Sequence, residues 1–189
     1  MSVGHITQTQ VGDLIGRHVR SLPRYHTATD REQWWPSILL FVAVPAAGAA
    51  ALVVAGIAPI SDVVGGLLAG VGVLSGFLFQ VLAWVGSRIA TIADVDTDRP
   101  LTSHERQLVG RLDLARANIA YAALVSIVFA MQLGIVALLT DPPTALTVVS
   151  AFLLLHLGLT LLLVLLRINS IAKDDRVAAI TRHARTGDR

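Results

Sequence analysis

Between Ser37 and Val85 the chain carries one charged residue, Asp62, and between Asn118 and Leu166 again only one, Asp141. Each of these apolar blocks is about twice the ~20 residues needed to cross a hydrocarbon core. Each is broken once by turn chemistry, at Ala58-Pro-Ile-Ser-Asp62 and at Thr140-Asp-Pro-Pro-Thr144. A soluble domain of 189 residues does not hold such blocks, and the overall balance agrees: 54% hydrophobic, 15% charged, mean hydropathy +0.67. The pattern predicts an all-α integral membrane protein with four transmembrane helices, at about residues 37–57, 63–85, 118–139 and 145–166, arranged as two helical hairpins.

The basic residues set the expected orientation. Of the fifteen Lys and Arg, four precede the first span, five lie between the second and third, and six follow the fourth, while both short turns have none. The positive-inside rule then places both termini and the loop 86–117 in the cytoplasm, as a multi-pass protein of the inner (cytoplasmic) membrane. The chain divides into a cytosolic amphipathic segment, 1–36, a transmembrane domain, 37–167, and a basic cytosolic tail, 168–189. Thirty-six mostly polar residues precede the first apolar run, so that run is expected to serve as its own insertion signal. Net charge is only +2; the sequence pI of about 9.7 reflects bases that flank the membrane and alternate with acids, a pattern that points away from nucleic acid. The absence of cysteine excludes disulfides, thiolate metal sites and thiol catalysis.

The N-terminal segment reads as an amphipathic helix through Ile6, Val11, Leu14, Ile15, Val19 and Leu22, ended by Pro23 and lying either on lipid headgroups or against the protein's own cytosolic loop. Thr29 and Glu32 have capping-box spacing, which predicts a helix start at Asp30. Trp34 and Trp35 before the first span and Trp84 at the end of the second are expected as interface anchors. The first span holds the small-residue run Pro45 to Ala51. The second holds Gly66, Gly70, Gly72 and Gly76, two GxxxG pairs that predict close packing, expected against the small residues of the first span in preference to a dimer face. The fourth span, rich in leucine, is expected to be the most lipid-exposed.

No Asp, Glu, Lys or Arg lies at a span centre, which removes the usual apparatus of a pump. The polar residues at depth are Gln80, Gln132, His156 and Ser126, with Ser75, Ser150 and Thr160; they are candidates either for a pore lining or for interhelical hydrogen bonds. His156, near the midplane, is expected to be a neutral imidazole bonded to Gln132 or Ser126.

The loop offers one chemical pattern. Asp94, Asp96, Asp98 and Glu105 stand at positions one, three, five and twelve of a stretch that resembles the EF-hand calcium loop. Arg99 occupies the position where that loop needs glycine, and Pro100 follows it. Thr102 and Glu105 also read as a capping box opening a helix that continues from Ser103 into the third span, with Leu108, Val109, Leu112 and Leu114 as the core of a small cytosolic bundle. No phosphate loop, nucleophile elbow or HExxH occurs.

These features predict a non-enzymatic membrane component, without cofactor, that acts as a homo-oligomer in the bilayer and through a cytosolic protein partner docking at 86–117. In plan alone such a chain is similar to membrane effectors of antiviral defence or prophage exclusion and to phage holins, which implies a change in membrane permeability. Two other readings are a small channel or transporter subunit with Gln80, Gln132 and His156 along its path, and a membrane enzyme holding a metal on Asp94, Asp96 and Asp98.

Overall fold

The computed structural model describes the backbone of residues 12–19, 25–26, 32–33, 35–56, 62–94 and 102–187, and the side chains of most of these up to residue 172. Among the described residues the regular structure is helical apart from a two-residue antiparallel ladder. A short helix, α1, covers 12–19; β1 (Tyr25–His26) pairs with β2 (Glu32–Gln33); then follow α2 (Trp35–Val54), α3 (Val64–Asp94), α4 (Ser103–Ala137) and α5 (Thr144–Gly187). Three helical stretches are long and apolar enough to cross a membrane: Val64–Ile92, Glu105–Ala137 and Thr144–Ala172. Leu39–Val54 forms a shorter apolar stretch inside the 20-residue α2.

Local sequence explains most boundaries. The expected helix start at Asp30 is not what forms, because Glu32 and Gln33 pair as a strand and α2 opens at Trp35. Pro36 fits in that first turn, where its missing N–H has no intrahelical acceptor. At the other end Gly56 takes φ +63°, a left-handed conformation that glycine adopts without a Cβ penalty, and its N–H bonds Val53 O at 3.1 Å. A capping box opens α4: Thr102 Oγ1 accepts from the Glu105 N–H at 3.3 Å, while the Thr102 N–H donates to Glu105 Oε2 at 2.7 Å. Pro142 and Pro143 keep α4 from continuing, and α5 begins at Thr144.

Packing places α4 in the middle, with α3 along one side and α5 along the other, and α2 on the far side of α5. The α3–α4 pair is built on a seven-residue pattern. Val71, Leu78 and Val85 of α3 are buried with Val64, Leu67, Leu74 and Val81 beside them, and they meet Leu112, Ile119, Phe129 and Leu133 of α4. This is the spacing of antiparallel helices that interlock side chains into the spaces between them.

Two expectations are overturned here. The first predicted hairpin does not pack as one, because α2 lies on α5 and is not packed along α3. Nor is the leucine-rich fourth span the most exposed: 39% of the α5 window is buried, against 44% for α4 and only 11% for α3. The physical reason is visible at Gly48, where an added Cβ would stand 2.7 Å from Leu155 Cδ1. A leucine of α5 fills the space that the small residues of α2 leave open, so α5 acquires a neighbour on each side.

Candidate functional site

A cluster of polar and aromatic side chains lies where α1, α2, α4 and α5 meet. At the centre is Tyr121 of α4, whose hydroxyl lies 2.9 Å from His156 Nε2 of α5 and whose ring stacks on His18 of α1 at 3.8 Å between centroids and 11° between planes. His18 Nδ1 lies 2.8 Å from Asn118 Oδ1. His156 Nδ1 lies 3.0 Å from the backbone oxygen of Phe41 in α2, and the Phe152 ring lies parallel to its imidazole at 5.8 Å between centroids. The Phe41 ring meets both imidazoles edge-on, at 6.3 and 6.5 Å.

The bond to Phe41 follows from the sequence of α2. In a helix the carbonyl of residue 41 accepts from the N–H of residue 45, and residue 45 is Pro45, which has none. The freed carbonyl needs a donor in a region without water, and His156 supplies it. Because a carbonyl only accepts, Nδ1 carries the proton and Nε2 accepts from the Tyr121 hydroxyl. Both ring nitrogens of His156 are therefore engaged. Thr160 completes the region by donating from Oγ1 to His156 O at 2.8 Å.

His18 is fixed by the same logic from the other side. Asn118 Oδ1 accepts, so Nδ1 of His18 donates. The ring is 3% exposed, and burial pushes its pKa down to about 4, helped by the nearby His156 and Arg167 and opposed by the bond to Asn118. At neutral pH His18 is uncharged. Around it α1 is tied at the surface by Arg17, which bonds Asp13 at 2.9 Å and reaches Asp113 of α4 at 3.5 Å. These exposed pairs contribute little to stability.

The residues singled out from sequence are scattered. His156 is in the cluster, but its partners are Tyr121 and Phe41, not Gln132 or Ser126. Ser126 instead lies 2.9 Å from Ser75, joining α4 to α3. Gln132 is half-buried, and its Nε2 has no hydrogen-bond partner among the described residues; the same holds for Ser150 Oγ. Gln80 is exposed on α3. Gly66, Gly70, Gly72 and Gly76 are exposed too, and a Cβ at any of them would meet nothing within 4 Å, so the expected contact with the first span is not made.

Trp84 is 56% exposed on α3; Trp35 opens α2, and its side chain lies outside the described residues, as does Trp34. Asp94 is the last residue of α3, while its side chain and Asp96 and Asp98 lie outside the described residues. Glu105 is bonded within the α4 cap, also accepting from the Thr102 hydroxyl at 2.7 Å. Of the expected small bundle, Leu112 is buried, Leu108 and Val109 are half-buried and Leu114 is 41% exposed.

No family model, no curated protein and no solved structure matches the chain. The geometry therefore stands alone. Among the described residues, polar bonds at buried or half-buried positions link the packed helices: Ser75 with Ser126, Tyr121 with His156, His156 with Phe41 O, and His18 with Asn118. Sequence reasoning missed His18, Asn118 and Tyr121. A signal for the first was present, since His18 follows Leu14 by four residues and so shares its helix face. Pro45 likewise announced that the Phe41 carbonyl would need a donor from elsewhere.

Proposed function

We propose that the protein is a non-enzymatic membrane component of four spans that works as a homo-oligomer, joined through α3, and receives its signal at the cytoplasmic face. One observation carries this reading. On α3 the positions Gly65, Ala69, Gly72, Gly76, Gln80, Ala83 and Ser87 follow steps of three and four residues, all are exposed, and no helix among the described residues covers them. A stripe of this kind allows two backbones to approach closely in lipid, and Gln80 within it would find a hydrogen-bonding partner in its own counterpart on a second copy. An amide facing lipid alone is costly, which favours association.

Leu39–Val54 would serve as the fourth span within α2, giving an even number of crossings and both termini on one side. The distribution of Arg and Lys favours the cytoplasm for that side, with the α3–α4 joint available to a soluble partner. A permeability change is the output most consistent with a bundle whose described buried residues include no Asp, Glu, Lys or Arg. A conducting path through one copy is less favoured, because His156 has both nitrogens engaged in interhelical bonds and does not face an open passage.

Subunit counting by single-molecule photobleaching of the full chain in lipid nanodiscs tests the proposal. The expected result is two or more copies per disc for the native chain and one for a Gly72→Ile, Gly76→Ile double variant. A native chain found as single copies at every protein-to-lipid ratio removes the reading. Orientation is checked by a cytoplasm-active reporter fused after Arg189, which should function.

A further inference from the structure

Helix α1 rests on the bundle by a side chain that can gain a proton. His18 donates from Nδ1 to Asn118 Oδ1 at 2.8 Å, lies flat on Tyr121 at 3.8 Å, and meets the edge of Phe41 at 6.3 Å, leaving 3% of its surface exposed. Among the described residues, α4 contributes Asn118 and the phenol of Tyr121, α5 contributes His156 and Arg167, and α2 contributes the ring of Phe41. On α1 itself Asp13 and Arg17 bind each other, and Arg17 turns to Asp113 at the surface. A proton on His18 would place a desolvated cation within the field of the Arg167 guanidinium, an arrangement that burial and charge both oppose.

We propose that α1 is a proton-released latch, in which protonation of His18 expels the helix from its site on α4 and deprotonation returns it. This goes beyond the oligomeric reading, since it requires only one copy. Released, α1 uncovers Asn118 and Tyr121 at the polar end of the bundle and carries Leu14 and Val19 with it. The sign follows from linkage. The undocked imidazole titrates at its ordinary 6.5 and the docked one at about 4, so docking is at full strength above 6.5 and weakens as pH falls toward 4. At pH 4.5 the docking constant is expected to be about 70-fold below its value at pH 7.5.

The chain has no cysteine, so a pair of introduced cysteines labels uniquely. Nitroxides at Gly12→Cys on α1 and Gln107→Cys on α4, both exposed positions, report docking by pulsed dipolar spectroscopy of the full chain in nanodiscs. The expected result is a narrow distance distribution at pH 7.5 that broadens at pH 4.5. His18→Phe, which keeps the ring stack and cannot titrate, should stay narrow at both, and His18→Arg should be broad at both. A second pair, Arg88→Cys with Gln107→Cys, both exposed, reports the α3–α4 packing and should not change. A native distribution that stays narrow to pH 4.5, a His18→Phe chain that broadens with the native one, or joint broadening of the second pair each overturns the proposal.

Discussion

Helices α2 and α3 both carry runs of small residues, and the two runs meet opposite fates. In α2, Ala49 is fully buried, and Gly48 faces Leu155 so closely that a Cβ there would lie 2.7 Å from its Cδ1. In α3, Gly66, Gly70, Gly72 and Gly76 face nothing within 4 Å, while the large residues Val71, Leu78 and Val85 are buried against α4. A small residue permits a close approach but does not attract one. What attracts in lipid is a shape that fits the gap, and α5 offers a leucine to α2 while no helix among the described residues offers anything to the glycines of α3.

The largest effect expected from breaking this comparison lies at the point where α2 is bonded as well as packed. His156→Phe removes the donor to the Phe41 carbonyl and the acceptor of the Tyr121 hydroxyl, and should destabilise the bundle by about 2–3 kcal/mol. Adding Pro45→Ala returns a backbone N–H to α2 at the position that carbonyl needs, so the double variant should recover part of the loss. Denaturant titration in detergent measures both; strict additivity of the two changes would mean that the imidazole does not serve the carbonyl.

Next is Gly48→Ile, expected to cost about 1–3 kcal/mol by overpacking against Leu155 and to be relieved by Leu155→Ala. An unchanged unfolding midpoint would show that α2 can slide along α5, and the distinction between the two runs would be lost. Smaller still is Ser75→Ala, which removes the bond to Ser126 between α3 and α4 and should shift stability by only ~0.6 kcal/mol in the same assay. Smallest is Gly72→Ile on α3, expected to leave single-copy stability within about 0.5 kcal/mol of the native chain, because its side chain enters open space. A large loss there in monomeric detergent preparations would mean that α3 packs inside one copy after all.

How much of this was legible in the sequence depends on the range of the interaction involved. The Thr102–Glu105 cap depends on residues three apart, and both halves of the box form. The stop at Pro142 and Pro143 is equally local. By contrast, the partner of His156 could not be read from its neighbours. Depth alone suggested Gln132 or Ser126; the structure brings Tyr121 and Phe41 instead, because which face of α4 turns toward α5 is fixed by side-chain packing. The Thr29 and Glu32 spacing failed for a related reason. A capping box is one option for such residues, and Glu32 with Gln33 pairs with Tyr25 and His26 instead. His18 escaped notice because a lone histidine in a polar segment has no meaning until something covers it.

The sequence by itself determined that most of the chain is apolar helix, where three membrane-compatible helices lie, and which ends need capping, since all of these follow from composition and from residues within one turn of each other. Only the tertiary structure decided that α4 is central, that α2 lies on α5 while the glycines of α3 remain uncovered, and that His18, Tyr121 and His156 form one cluster. In a uniformly apolar set of helices, hydropathy does not distinguish one neighbour from another. The choice is made by shape complementarity and by a few polar groups that must find each other across helices, and neither is written in the order of residues along one of them.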